Sequence, residues 1–359
     1  MSFAEARAQY PVLERVAYLN AGTMGPLSRP AADAMAERSR ADLEEGRGGL
    51  PYFQQMQALR QGVRERIAAL VGATPERVAL TMSTTDSIHV VLAGLGLRPD
   101  DEVVTTDAEH PGLLLPLNAS GARIVVAEVA EHPPAEARER ILARVTERTT
   151  LLALSHVLWT TGNIVPVHDL KEATGLPILV DGAQSAGAIP VEIGQLDYYT
   201  VSCQKWLCGP DPLGGLYVAD PDALRVGLPS YFAQQSIEPD GSYVPREGAE
   251  RFDSGWLSLP SLAGLVAAMD LAPEWRFERA AEVAALCRAV LDERVELVTG
   301  PGQATLVTFR PNGDPAELAA SAYERGVVIR DLPGTGWLRA SCGYWTNEED
   351  VERLVAAVT

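Results

Sequence analysis

A doubly wound α/β architecture on a mainly parallel sheet is what this sequence predicts, and three observations predict it. Short apolar or β-branched runs alternate with amphipathic segments from about residue 55 to 220, the pattern of strands joined by crossover helices. The 359 residues allow about two domains at roughly 150 residues each. A hydrophobic content of 47% supplies a sizeable core and excludes disorder for the bulk of the chain.

The strands, in chain order, are expected at Arg77–Met82, Glu102–Thr106, Arg123–Glu128, Thr150–His156, Pro177–Asp181, Tyr198–Ser202 and Gly215–Ala219. Between them, Thr84–Leu95 and Pro134–Val145 place apolar residues at helical spacing. Residues 221–257 break the rhythm, with Pro229, Pro239 and Pro245 plus Gly227, Gly241 and Gly248 in a polar, weakly periodic stretch. That stretch predicts a long active-site loop or a linker. A helical region over Leu259–Arg294, interrupted near Pro273, follows it. Strands at Ala304–Arg310, Val327–Arg330 and Trp337–Ser341, with helices at Pro315–Arg325 and Glu348–Val358, then make a smaller C-terminal α/β domain. The expected division is an N-terminal segment (1–15) packing on the small domain, a large domain (16–250) and a small domain (251–359).

Thirty Lys and Arg against 48 Asp and Glu give a formal net charge of −18. Such a surface repels phosphate backbones and anionic lipid, so neither nucleic acid nor a membrane is an expected partner. The first residues, MSFAEARAQYPVLERV, carry charges throughout and have no apolar signal-peptide core, which points to a cytoplasmic protein. Cys203, Cys208, Cys287 and Cys342 lack paired CxxC spacing, so reduced thiols and no metal site are expected.

Four segments carry chemistry. In YTVSCQKWLCGPDPLGG, Lys205 follows a strand end among apolar Trp206 and Leu207; partial desolvation there lowers an amine's pKa and makes it a nucleophile. A surface lysine in a Gly-rich loop has the same local sequence. In LPILVDGAQSAGAIP, a buried strand runs into Asp181, with Gln184 just beyond; a carboxylate there pairs with a pyridine nitrogen, or else caps the next helix. In ALTMSTTDSIHVVLAGLG, Ser83, Thr84 and Thr85 open a helix whose free N–H groups suit a phosphate, or simply cap it. In TTDAEHPGLLLP, His110 is placed to stack on an aromatic ring, or is a polar turn residue. A phosphate cradle, a stacking ring, an acid and an amine at successive sheet ends are together what a phosphorylated pyridine aldehyde needs.

These segments, with YLNAGTMGPLS (Tyr18–Ser28), SHVLWTTGNIVPV and WLRASCGYWTNEEDVERLV (Trp337–Val355), resemble the class V aminotransferase family of fold-type-I pyridoxal-phosphate (PLP) enzymes. That family also contains cysteine desulfurases, kynureninases and isopenicillin N epimerases. The resemblance implies a seven-stranded, mainly parallel sheet in a large cofactor-binding domain, a small C-terminal domain, and a homodimer with shared active sites. It implies that Lys205 holds pyridoxal 5′-phosphate covalently, Asp181 its ring nitrogen and Gln184 its phenolic oxygen, with His110 stacked on the ring. Thr84, Thr85, Ser202 and Gln204 would bind phosphate, joined by Ser258 from the partner subunit. Arg339 would grip the carboxylate of an amino-acid substrate, with Trp159 and Asn20 lining its pocket.

Departures narrow the activity. Gln204 stands where many desulfurases have His, and Trp159 where they have Asn. The loop before Arg339 reads IRDLPGTGWLR and lacks the cysteine that desulfurases use as nucleophile. EHPG, SHVLWTTG and KWLCGP are most similar to the cysteine/cystine C–S lyases. The expectation is therefore β-elimination at a cysteine-derived amino acid, with desulfurase, epimerase or aminotransferase outcomes as the alternatives. Arg330 and Asp331 are either pocket residues or surface charges.

Overall fold

Seven of the short apolar runs form one sheet. In the computed structural model, which describes residues 1–359, they are β1 (Val78–Thr81), β2 (Glu102–Thr106), β3 (Arg123–Ala127), β4 (Thr149–Ser155), β5 (Ile178–Asp181), β6 (Tyr198–Ser202) and β7 (Gly214–Val218). Their spatial order is β1-β7-β6-β5-β4-β2-β3, with β7 antiparallel to both neighbours and every other adjacent pair parallel. The central strands are covered on both faces, so β5 is buried along its whole length and reads as an unbroken apolar run. Edge strand β3 is the one with open positions, at Arg123 and Val126.

The helices that matter for the site are α1 (Arg29–Glu45), α2 (Gly49–Val71), α3 (Thr84–Leu95), α4 (Pro111–Ala119), α5 (Val167–Thr174), α6 (Leu259–Leu271), α7 (Arg276–Asp292), α8 (Pro315–Glu324) and α9 (Glu348–Val358). The helix expected over Pro134–Val145 is shorter: a 3-10 turn at Pro134–Glu136 leads into Ala137–Leu142, because adjacent prolines hold the entry in tight geometry. The stretch expected to be a loop before α6 contains a hairpin pairing Gln234–Ile237 with Tyr243–Pro245.

A second, antiparallel sheet is made of β8 (Glu296–Leu297), β9 (Leu306–Arg310), β10 (Arg330–Leu332) and β11 (Trp337–Ser341), in the order β8-β9-β11-β10. The strand expected at Val327–Arg330 is split. Val327–Val328 pairs in parallel with Ala17–Tyr18, and the chain then shifts sheets at Arg330.

The expected division at residue 250 is not where the cores divide. Leu257, Leu262 and Leu265 belong to the core around the large sheet, together with Ile67 and Val71 of α2. Asp253 is locked to Arg60 and Arg64 of α2 at 2.8 Å each. The second core runs from Val283 to Val358 and includes Ala17 and Leu19. So α6, whose buried face is all Leu, Gly, Ser and Ala, packs into the large unit, and the small unit begins at α7 and borrows an N-terminal strand. The N-terminal segment docks on the small unit through Arg7–Asp350 at 2.7 Å and the Tyr10 and Tyr344 hydroxyls. No helix is long and apolar enough to cross a membrane.

Candidate active site

The carboxyl ends of β2, β4, β5 and β6 lie side by side in the sheet, and each releases a loop carrying a polar group. From β6 the chain turns to Lys205, which is half-buried. Burial pushes its pKa down to about 8; nearby Asp181 opposes this, and Arg339 and Arg330 add to it. The turn is closed by Cys208 at φ 54°, a left-handed conformation uncommon outside glycine. Residues 20–25 cross over this turn. Gly25 donates its N–H to the Gln204 carbonyl at 2.8 Å, and a Cβ there would overlap the Lys205 carbonyl oxygen, so only glycine lets the two backbones meet.

Asp181, at the end of β5, is 3% exposed. Its Oδ1 accepts from the Ala183 N–H at 2.9 Å and the Thr200 hydroxyl at 3.1 Å, which fixes the carboxylate and leaves Oδ2 with no donor from the chain. Gln184 donates Nε2 to the Gly22 carbonyl at 2.8 Å and accepts from Trp206 Nε1 at 3.0 Å, keeping one amide hydrogen free. His110 caps α4: its Nδ1 accepts from the Gly112 N–H at 2.9 Å, so the ring hydrogen sits on Nε2. Burial, then the charge of Lys205, push its pKa down to about 4, which makes it a neutral ring at physiological pH. Its edge meets the Trp159 ring at 5.1 Å between centroids.

Ser83 is the N-cap of α3, accepting from the Asp86 N–H at 3.1 Å, and Thr84 and Thr85 occupy the first turn, where backbone N–H groups have no helical partner. Ser202 donates to Gln204 Oε1 at 2.8 Å. Ser258 stands apart as the exposed N-cap of α6. Within one chain no bond joins it to the other candidate residues.

On the small-unit side, β11 carries Arg339, 1% exposed. Its Nη1 donates to the Trp159 carbonyl at 2.7 Å and its Nη2 to Thr23 Oγ1 at 3.4 Å, while Nε has no partner. Arg330 Nη1 donates to the same Thr23 hydroxyl at 3.1 Å. Burial, then Arg330, push the Arg339 pKa down to about 9, still cationic at neutral pH. A Cβ on Gly22 would lie 2.9 Å from Arg339 Nη2, so the guanidinium rests against bare backbone. Asn20 bridges to Ser341, and its Oδ1, like Trp159 Nε1, is buried without a partner.

Sequence reasoning missed Thr23, Thr200 and Glu109. Glu109 is 4% exposed and accepts from Thr106 Oγ1 at 2.8 Å and from the Ser155 N–H at 3.0 Å, bracing the ends of β2 and β4. Burial raises its pKa to about 7, and the two hydroxyl partners and the Ser155 N–H oppose that. A Glu in the turn Asp107–Pro111, beside Ala108 and His110, gives no sign in sequence that it points inward.

These residues fit a phosphorylated pyridine aldehyde. Asp181 Oδ2 is an anchored, donor-free carboxylate oxygen, Lys205 is an amine of lowered basicity, His110 is a neutral ring, and α3 presents hydroxyls at a positive helix end. Arg339 and Arg330 have no carboxylate partner in the chain, so the same site asks for an anionic substrate group.

Comparison with known proteins agrees. A family model described as aminotransferase class-V matches residues 20–354. The isopenicillin N epimerase of Amycolatopsis lactamdurans is 30% identical, with 99% of this chain and 98% of that protein covered. The cysteine desulfurase CsdA of Escherichia coli (strain K12) is 26% identical over 99% of this chain and 96% of its own length. A structure of the cystine C-S lyase C-DES with its product cysteine persulfide superposes with a TM-score of 0.89 at 27% identity, covering 98% of this chain and 99% of that one. A C-DES mutant with glycine covalently linked to its PLP cofactor superposes at 0.90, with 26% identity over 98% of each chain.

Proposed function

This chain belongs to the class-V aminotransferase family and is a PLP-dependent enzyme, and from that premise we propose that it is a C–S β-lyase. Its substrate is a cysteine-derived amino acid, whether cysteine, cystine or a cysteine conjugate or sulfoxide, and its products are pyruvate, ammonia and a sulfur species. One observation carries the reading: no thiol of the chain is placed to take sulfur from a substrate. The turn between β10 and β11 has no cysteine. All four cysteines are buried, and burial pushes Cys203 and Cys208 up to about 12, where the nucleophilic thiolate is absent.

Bound pyridoxal phosphate supplies an electron sink for negative charge at the substrate Cα. Lys205, Asp181, His110 and Gln184 would hold its reactive end and ring, and Thr84, Thr85, Ser202 and Gln204 its phosphate, completed by Ser258 of a second copy. Arg339 takes the substrate carboxylate, with Trp159 and Asn20 walling the pocket. Lys205, whose amine gives up its proton more readily than an ordinary lysine, removes the Cα proton and keeps it at Nζ. The Cβ–S bond then breaks with its electron pair leaving on sulfur, and the released aminoacrylate takes up water to give pyruvate and ammonia. Arg330, sharing Thr23 with Arg339, favours substrates with a second anionic group, as cystine has.

Epimerisation is the second reading, favoured by the 30% identity to an epimerase along almost the whole chain. It shares the proton removal and differs in where the proton returns. The deciding experiment incubates holoenzyme with L-cysteine and L-cystine and identifies the carbon product by NMR. Pyruvate supports the lyase. Alanine means a nucleophile removes sulfur, and D-enantiomer formation without C–S cleavage means epimerase; either overturns it.

A further inference from the structure

Four arginines are buried in this molecule: Arg60, Arg64, Arg288 and Arg339. Arg60 and Arg64 share the carboxylate of Asp253. Arg339 has no acidic partner, which the carboxylate of the substrate explains. Arg288 also has none, and nothing in the active site explains it. Its Nη1 donates to the Ala304 carbonyl at 2.9 Å, it forms no ion pair, and only 8% of its surface is open. A buried cation without a counter-ion is costly, so a fold that keeps one has an anion to meet it.

The open part of Arg288 lines a cavity of about 660 Å³ that contains none of the residues assigned to the Lys205 site. That volume is in the range of small-molecule sites, roughly 300–1,000 Å³. The cavity lies between Ala130–Pro134 of the large unit and α7, β8, the loop Thr299–Gly302 and Arg310 of the small unit. Its walls are pre-ordered: the Gly300 N–H donates to Asn163 Oδ1 at 3.0 Å and the Ala304 N–H to the Gly162 carbonyl at 3.3 Å. The second arginine, Arg310, is shared by Glu131 at 2.9 Å and Glu296 at 3.1 Å, a cluster that carries one negative charge in excess. Asp292 lies one helical turn beyond Arg288, lines the same cavity, is exposed and forms no ion pair. The cavity therefore presents Arg288 and Asp292, a cation and an anion that form no ion pair, about a turn apart on α7.

We propose that this interdomain cavity is a second ligand site that binds a zwitterion, an amino acid or short peptide, with its carboxylate on Arg288 and its ammonium group at Asp292. The net charge of −18 repels simple anions but not a molecule of zero net charge. The cavity is larger than the smallest amino acids need, which suits a bulky side chain or a dipeptide. The inference does not depend on which reaction the Lys205 site performs.

The test uses holoenzyme whose Lys205 site has been closed by borohydride reduction, titrated calorimetrically with L-leucine and with glycylglycine. Saturable binding is expected for at least one of them, and the stronger binder tells free amino acid from peptide. Arg288→Met should weaken it at least tenfold while Arg288→Lys restores part of the affinity. Asp292→Asn, an exposed change that leaves the fold alone, should also weaken it. Leucine methyl ester and N-acetylleucine, each missing one charge, should not bind. No saturable binding below about 10 mM, binding that both Arg288→Met and Asp292→Asn leave within twofold, or binding lost only in Arg339→Met would overturn the proposal.

Discussion

At Lys205, burial and two neighbouring guanidiniums set the amine's basicity, so its chemistry should follow pH in a defined way. The rate at which apoenzyme and pyridoxal phosphate form the holoenzyme absorption band should rise with pH around a midpoint near 8, not near the ordinary lysine value of 10.5. Lys205→Ala should lose the band and all turnover while keeping its far-UV circular dichroism. Glu109 gives the opposite sign. Its folded pKa of about 7 is above the ordinary 4.5, so the folded chain holds a proton that the unfolded chain has released between those values. This favourable contribution is complete below pH 4.5 and fades as pH rises to 7. Relative to Glu109→Gln, wild type should therefore lose on the order of 2–3 kcal/mol between pH 5 and 8 in urea unfolding; a parallel pH dependence of the two proteins would refute it. Lys205, Asp181 and His110 were legible because each ends or follows an apolar run, where a polar residue stands out. Glu109 and Thr200 were not, since their partners, Ser155 and Asp181, are on neighbouring strands that only the sheet brings beside them.

Among the elements, the joint between α2 and β1 depends on a single carboxylate. Asp253 accepts from Arg60, from Arg64 and from the Leu80 N–H at 2.8 Å, so it ties a helix to a strand from a loop distant in sequence. Asp253→Asn leaves buried Arg60 without a counter-charge and Arg64 with only Glu250 at 3.8 Å, and should cost about 3–5 kcal/mol in chemical denaturation. A loss under 1 kcal/mol would mean that water or other groups already share that charge. The strands of the large sheet were readable because strands covered on both faces are plain apolar runs. The split at Val327–Arg330 was not, because its partner Ala17–Tyr18 is at the other end of the chain and leaves no local trace. Likewise α6 reads as a helix from its own residues, whereas its place in the large unit is decided by α1 and α2.

The molecule as a whole presents an apolar surface that a single copy does not cover. Phe53, Tyr231 and Trp256 are 43%, 68% and 59% exposed, and the Tyr231 and Trp256 rings stack within 10° of parallel. Ser258 is two residues beyond Trp256, so this face and the phosphate site proposed for a partner coincide. Trp256→Asp should convert a dimer to a monomer in light scattering and lower turnover with it; a wild-type monomer of full activity would remove the second copy from the reading.

The pairing of residues 17–19 with the small unit also orders events during synthesis. A chain leaves the ribosome N-terminus first, and the large core can close once α6 has emerged. The first strand must wait unpaired until Val327 and Arg339 follow. A nascent chain thus has Lys205 in place before it has Arg339.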